Sequence, residues 1–323
     1  MTSVSIILPV FNGEKFIKKA IESVLNQSLN DFELIVINDG STDSTADIIN
    51  SFKDNRIRII NQSNKGPGQA RNNGLKIALG EYIMFLDADD WFCEDALETA
   101  YFEAKNNNTD ISIFQIIKYF NGQFSQNNWF NLNNFDKSFE NCVFNPHECK
   151  DFLFDISVSA CQKIFNRKFL SKINAKFPTG IYFEDMPFFF YTFLKAQRIS
   201  IIKKHLYVRQ KHDGSITESV DSKFLDTVPA GQILMDIFIE NDWYDMYKFD
   251  LLAFKINGPR YALMAIEEKY RKDLYALIKN DYESIKSGPY YSDYLENLGP
   301  VKKKFFLDIL KSENYYDFIK KSR

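Results

Sequence analysis

The sequence predicts an α/β protein of 323 residues: a doubly wound, mostly parallel sheet flanked by helices, with a helical extension at the C-terminal end. Three observations carry that expectation. Over roughly the first 120 residues, short apolar runs alternate with stretches of helical periodicity. Each interval between runs holds a helix, which suits crossovers between parallel strands rather than hairpins. From about residue 220 onward, the apolar positions follow a helical period alone.

Residues 4–10 form a short apolar run through Pro9 and read as a buried first strand. Phe16, Ile17, Ala20, Ile21, Val24 and Leu25 fall on one helical face. Residues 33–37 are the second strand. Ser44-Thr45-Ala46-Asp47 fits a capping box, with Ile48, Ile49 and Phe52 behind it. Residues 57–60 are the third strand, and 68–79 a helix ended by Gly80. Residues 82–86 make the fourth strand, 95–106 a helix and 111–117 a further strand. Residues 121–141 are Asn-rich and read as a surface loop or insertion. Asn145-Pro146 reads as a helix start. Residues 207–217 read as a polar loop containing Arg209, His212, Gly214 and Ser215.

Composition excludes several classes. Lys plus Arg is 40 against 43 for Asp plus Glu, so no basic excess argues for a nucleic-acid partner. No apolar stretch is long enough to span a membrane, and the N-terminus lacks a basic leader, so a cytoplasmic protein is expected. The cysteines Cys93, Cys142, Cys149 and Cys161 form no C-x-x-C pair and read as reduced thiols. With three His in the chain, a His/Cys zinc cage is not expected.

Ligands of open α/β sheets bind beyond the carboxyl ends of the strands. That rule singles out Pro9-Val10-Phe11-Asn12, Asn38-Asp39-Gly40-Ser41, Asn64-Lys65-Gly66-Pro67-Gly68 and Asp87-Ala88-Asp89-Asp90. Asp87 and Asp89 at a strand end suit a hard divalent cation that bridges diphosphate oxygens, though an Asp-rich turn before a helix is the simpler reading of the pattern alone. Asp39 suits the N3–H of uracil or thymine, or the N1–H of guanine, and Pro9 and Phe11 suit the apolar wall of a base. Taken alone, Asp39-Gly40 is a turn. Gly66-Pro67-Gly68-Gln69-Ala70-Arg71 lacks the Gly-Lys-Ser/Thr of a Walker loop and the third glycine of a dinucleotide fingerprint. Arg71, on the first helical turn, suits a phosphate or a base carbonyl, or simply solvent.

Taken together and in order, 4–12, 35–43, Gly66-x-x-x-Ala70-Arg71-Asn72 and 85–90 resemble family 2 glycosyltransferases. Glu184-Asp185 and Arg209-Gln210-Lys211-His212-Asp213-Gly214-Ser215 extend the likeness to about residue 217. The resemblance implies a GT-A fold, a UDP-sugar donor, a Mn²⁺ or Mg²⁺ ion, and inversion by direct displacement. Carried over residue by residue, it gives Pro9, Phe11, Asp39, Asn64 and Arg71 to the nucleotide. Asp87 and Ala88 go to the donor, and Asp89 to the metal. Arg209 falls to the donor and His212 to the metal or the diphosphate, with Gly214 letting that segment close. Residues 1–217 would form the catalytic domain, 1–110 as the nucleotide-sugar half and 111–217 as the acceptor half, with 218–323 a helical region.

A direct displacement needs a general base at the acceptor hydroxyl. Asp185 is the candidate, since Tyr182, Phe183, Phe188 and Phe189 would desolvate it and raise its pKa. Glu184-Asp185 also suits the start of a helix over 186–194 with Pro187 in its first turn. Lys163 matches a lysine common in relatives and has no derived role. Residues 301–323 carry seven Lys/Arg against three Asp/Glu. There Phe305, Phe306, Ile309, Leu310, Tyr316 and Ile319 suggest a basic amphipathic face for a membrane surface, or else one packed on its own domain or a second subunit. The expected acceptor is a saccharide or lipid-linked saccharide, in surface polysaccharide synthesis. An inactive nucleotide-sugar-binding protein of the same fold is the alternative. A phospho-receiver or dehydrogenase is excluded by the residues after the first strand.

Overall fold

The computed structural model describes residues 2–126, 132, 137–212 and 220–322. The chain divides into two compact units, Met1–Gly180 with Glu184–His212, and Ile181–Phe183 with Asp213–Arg323. In the first unit, β1 (Val4–Val10), β2 (Phe32–Asn38), β3 (Ile57–Asn61) and β4 (Tyr82–Phe85) are parallel, with β1 between β2 and β4. The crossovers are α1 (Ile17–Leu25), α2 (Thr45–Ser51) and α3 (Pro67–Ile77). β1 and β2 are buried along almost their whole length, which is why they read as unbroken apolar runs. α3 lies close on β1 because Gly74 faces Ile7, whose side chain occupies the space a Cβ would need.

The chain continues through β5 (Trp91–Phe92), α4 (Ala96–Asn106), β6 (Ile111–Phe120), β7 (Gln123–Ser125), β8 (Lys163–Asn166), α5 (Arg167–Lys172), α6 (Asp185–Lys195) and β9 (Ile199–Gln210). The sheet runs β3-β2-β1-β4-β8-β6-β9-β5, with β7 beside β6. β8 is antiparallel to β4 and β6, whereas β6 and β9 are parallel. The expected mostly parallel sheet flanked by helices is therefore present, with β8 reversing direction at its middle. Beneath the carboxyl end of β4, Phe85 meets Phe165, Phe177 and Phe188 edge-on, and Phe177 stacks on Phe188 at 3.7 Å. Each such buried ring contributes about 2 kcal/mol. They form a rigid floor for the loops above.

Several local readings are corrected. Ser44 makes no side-chain cap; Asp43 instead accepts from the Thr45 amide and hydroxyl. Asn145 accepts from the His147 amide, forming an Asx turn, and the next helical segment, Lys150–Asp155, is 3-10 rather than α. The stretch from 121 opens with a hairpin, because Asn121 and Gly122, at φ 48° and 81°, make the tight turn that joins β6 to β7. Arg209 lies inside β9 rather than in a loop. Gly214 and Ser215 lie outside the described residues.

The second unit is helical: α7 (Thr227–Glu240), α8 (Tyr244–Ala265), α9 (Glu268–Ser287), α10 (Tyr291–Asn297), α11 (Pro300–Lys311) and α12 (Tyr315–Ser322). Leu251, Ile256, Leu274 and Ile278 are fully buried in its core, which also holds the Lys255–Asp281 ion pair at 2.9 Å. The C-terminal segment forms two helices rather than one. It breaks between α11 and α12, and Phe306 and Ile309 are fully buried. Phe306 packs on Tyr282 and Tyr294 within this unit, whereas Phe305, Leu310 and Ile319 are part-buried and Tyr316 is exposed. Among the described residues, no helix is long and apolar enough to cross a membrane.

Candidate active site

The carboxyl ends of β1, β2 and β4 open onto one rim. Pro9 is in β1, paired with Ile37, and Phe11 just beyond it is 49% exposed, which leaves its ring available to a planar ligand. Asn12, with φ 51°, accepts from the amide and hydroxyl of Thr42, tying the first rim loop to the second.

Asp39 is buried. One carboxylate oxygen accepts from Gln62 Nε2 at 2.7 Å and the Lys65 amide at 2.8 Å, and the other from the Gly66 amide at 2.9 Å. It therefore shapes the glycine loop before α3. A carboxylate offers about four acceptor positions, so room for a base N–H is left. Asn64 sits in that loop and accepts weakly from the Gly66 amide.

Arg71 joins parts of the chain that lie far apart in sequence. It projects from the second turn of α3 into a buried position and pairs with Asp87 at 2.8 Å, Asp185 at 3.5 Å, and Glu184 through a short bond. Its guanidinium carbon lies over the Phe177 ring, 5.4 Å from the centroid. Burial works against its charge, yet Asp185, Asp87 and Glu184 together hold its pKa above the ordinary value. Its place beside a glycine loop suggests a phosphate or a base as partner; in the structure its terminal nitrogens grip carboxylates. Glu184, to which the motif alone assigns no role, is the nearest of them. No spacing rule connects residues so far apart. The one local clue is the backbone: Phe183, just before the pair, has φ 64°, rare for a bulky residue.

Asp185 opens α6. Its Oδ2 accepts from the Ala160 amide at 3.2 Å, and its Oδ1 is buried without a hydrogen-bond partner. Burial raises its pKa against the pull of Arg71, and nearby Asp87 adds to the rise. Burial also pushes Glu184 up to about 7. The desolvation expected for Asp185 is thus present.

At the other side of the β4 turn, Asp89 Oδ2 and His212 Nε2 are 2.9 Å apart, and the imidazole stacks on Phe16 at 4.3 Å. Burial, then the neighbouring Asp87, raises the pKa of Asp89. Asp90, unassigned by the motif, anchors this side. It accepts from the Tyr207 hydroxyl and the Gln210 amide, both at 2.7 Å, while the Asp87 amide donates to the same hydroxyl at 3.2 Å. Asp90 and Tyr207 so fasten the end of β9, and with it His212, to the Asp87-Ala88-Asp89 turn. Arg209 lies on β9 beside Lys118 of β6, one strand position before the Gln210 amide that Asp90 holds.

Among the described residues no group of three or more His, Cys, Asp or Glu surrounds a cation position. One carboxylate and one imidazole nevertheless fit a divalent ion whose remaining ligands are water and diphosphate oxygens, since Mg²⁺ is commonly held by one or two protein groups plus substrate phosphate. Asp89 and His212 are also partly exposed, as such an ion requires.

The family model described as Glycosyl transferase family 2 matches residues 5–168. The glycosyltransferase GlyG of Streptococcus pneumoniae is 30% identical over 66% of this chain and 72% of its own length. A poly(ribitol-phosphate) beta-glucosyltransferase of Bacillus spizizenii is 34% identical over 65% of this chain, which spans 33% of that protein. The crystal structure of S. aureus TarS 1–349 in complex with UDP-GlcNAc superposes with a TM-score of 0.58 at 21% identity, over 90% of this chain and 92% of that one. That likeness is one of fold.

Proposed function

Because the chain belongs to glycosyl transferase family 2, we propose that it is an inverting, metal-dependent enzyme that moves a sugar from a UDP-sugar to a hydroxyl of a glycan or lipid-linked glycan in surface polysaccharide synthesis. One observation carries this reading: Arg71 binds Asp87 on one side and Glu184 and Asp185 on the other, so two distant acidic motifs make a single site. UDP-GlcNAc bound to TarS and the glucosyl transfer named for the Bacillus relative support the donor class.

In this mechanism, Phe11 and the Asp39 loop hold the base, Asp39 accepting the N3–H of uracil. Asp89 and His212 would hold a Mn²⁺ or Mg²⁺ ion, which when bound offsets diphosphate charge. Asp185, with Oδ2 on the Ala160 amide and Oδ1 3.5 Å from Arg71, takes the proton of the acceptor hydroxyl on a remaining carboxylate lone pair as that oxygen bonds to the anomeric carbon and UDP departs. Arg71 keeps the base carboxylate fixed relative to the donor turn. The raised pKa of Asp185 makes it a stronger base than an exposed carboxylate.

A donor screen with UDP-Glc, UDP-Gal, UDP-GlcNAc and UDP-GalNAc, scored by UDP release with and without Mn²⁺, tests the reading. Metal-stimulated release from one of them is expected. Release from none, with GDP-mannose consumed instead, would overturn the UDP assignment.

A further inference from the structure

Lys163 is fully buried at the start of β8, a costly place for an ammonium. A methionine of like length would fill the space without that cost. Its Nζ donates to the carbonyls of Ser157 and Ser159, at 2.7 and 2.8 Å, and lies over the ring of Phe189 at 4.6 Å. Those carbonyls belong to the short segment that ends in Ala160, and the Ala160 amide is the donor that orients Asp185.

We infer that Lys163 is a positioning residue for the proton-accepting carboxylate: by holding Ser157 and Ser159 it sets the Ala160 N–H, and that N–H on Oδ2, opposite Arg71 at Oδ1, fixes the plane of the Asp185 carboxylate. The inference rests on the reading of Asp185 as the base. The ammonium also contributes charge. Asp185 is faced by Arg71 from α3, Asp87 from the β4 turn, Glu184 just before α6, the Cys161 thiol beside Ala160, and Lys163 from β8. Without Lys163, one cation is left among three carboxylates. Lys163 favours the ionised form of Asp185, and burial pulls its own pKa down to about 7. It is charged on the acid side of neutrality, where it counts for the carboxylate.

The test compares Lys163→Met with Ala160→Pro, which deletes the amide donor while leaving Lys163 in place. Ser159 is already extended and Ala160 begins a 3-10 turn, so proline suits that backbone. Turnover is read with the UDP-hexose that releases UDP fastest, and UDP affinity by calorimetry, which also reports that the protein is folded. Each variant is expected to lower kcat about 10- to 100-fold, with the UDP Kd within about threefold of wild type. The acid limb of kcat against pH should move to higher pH, because a group favouring the carboxylate is lost. The double variant should be no slower than the slower single one, since both changes break one connection. Wild-type kcat in Lys163→Met, or a fall in kcat with an unmoved acid limb, overturns the inference. Asp185→Asn separates the two claims: if it keeps wild-type turnover the base assignment fails. If it is inactive while Lys163→Met matches wild type, only the role of Lys163 fails.

Discussion

Replacing Glu184 with glutamine changes one charge in the cluster around Arg71 and leaves its shape almost intact. Glu184 has 7% of its side chain exposed, so solvent does little to screen it. Burial raises its pKa from 4.5 to about 7. The folded chain therefore holds a proton that the unfolded chain has released across that interval. A raised folded pKa means that the associated stability is fully present below about pH 4.5 and is lost as pH rises through about 7. The loss amounts to about 3 kcal/mol. Urea unfolding at about pH 5 and about pH 8 reads it directly. Wild type should lose about 2.5 kcal/mol more than Glu184→Gln between the two pH values, since part of the loss is already present at about pH 5. Any cost from the new amide is present at both and cancels, as do the contributions of carboxylates elsewhere. Parallel pH dependence in the two proteins would refute the charge balance described for the cluster.

Two further predictions concern the supports of the site. Tyr207→Phe removes the hydroxyl shared by Asp90 and the Asp87 amide, leaving a buried carboxylate short of a donor. A loss of about 1–3 kcal/mol in unfolding free energy is expected, and an unchanged value would contradict the role given to that bond. In Gly68→Ala the new methyl would collide with the carbonyl of Pro178 and crowd Glu184. The variant should be destabilised by about 1–3 kcal/mol; a wild-type melting temperature would show that this approach is looser than described.

The parallel strands β1 to β4 were legible because strands covered on both faces carry little but apolar residues. β8 was not: Lys163 occupies a buried position and breaks the apolar run that would have marked it. Lys203 and Lys204, both exposed, interrupt the apolar run of β9. The hairpin at Asn121-Gly122 carried its turn signal, obscured by the asparagines that follow. At the site, Asp87, Asp89, Asp185 and His212 could be picked out because each belongs to a short contiguous pattern. The roles of Glu184, Asp90 and Tyr207 depend on partners brought together only by the sheet order β4-β8-β6-β9. Arg71 shows the limit most clearly: the glycine loop beside it points to a phosphate, while its pairing with Asp87, Glu184 and Asp185 depends on segments far apart in sequence.

In the proposed mechanism the donor diphosphate is held at the Asp89–His212 side of the β4 turn, apart from the base at Asp185. Calorimetric titration of UDP into wild type and Asp89→Ala, each with and without Mn²⁺, tests it most directly. Mn²⁺ should strengthen UDP binding in wild type and leave it unchanged in the variant. Equal strengthening by Mn²⁺ in both proteins would contradict it.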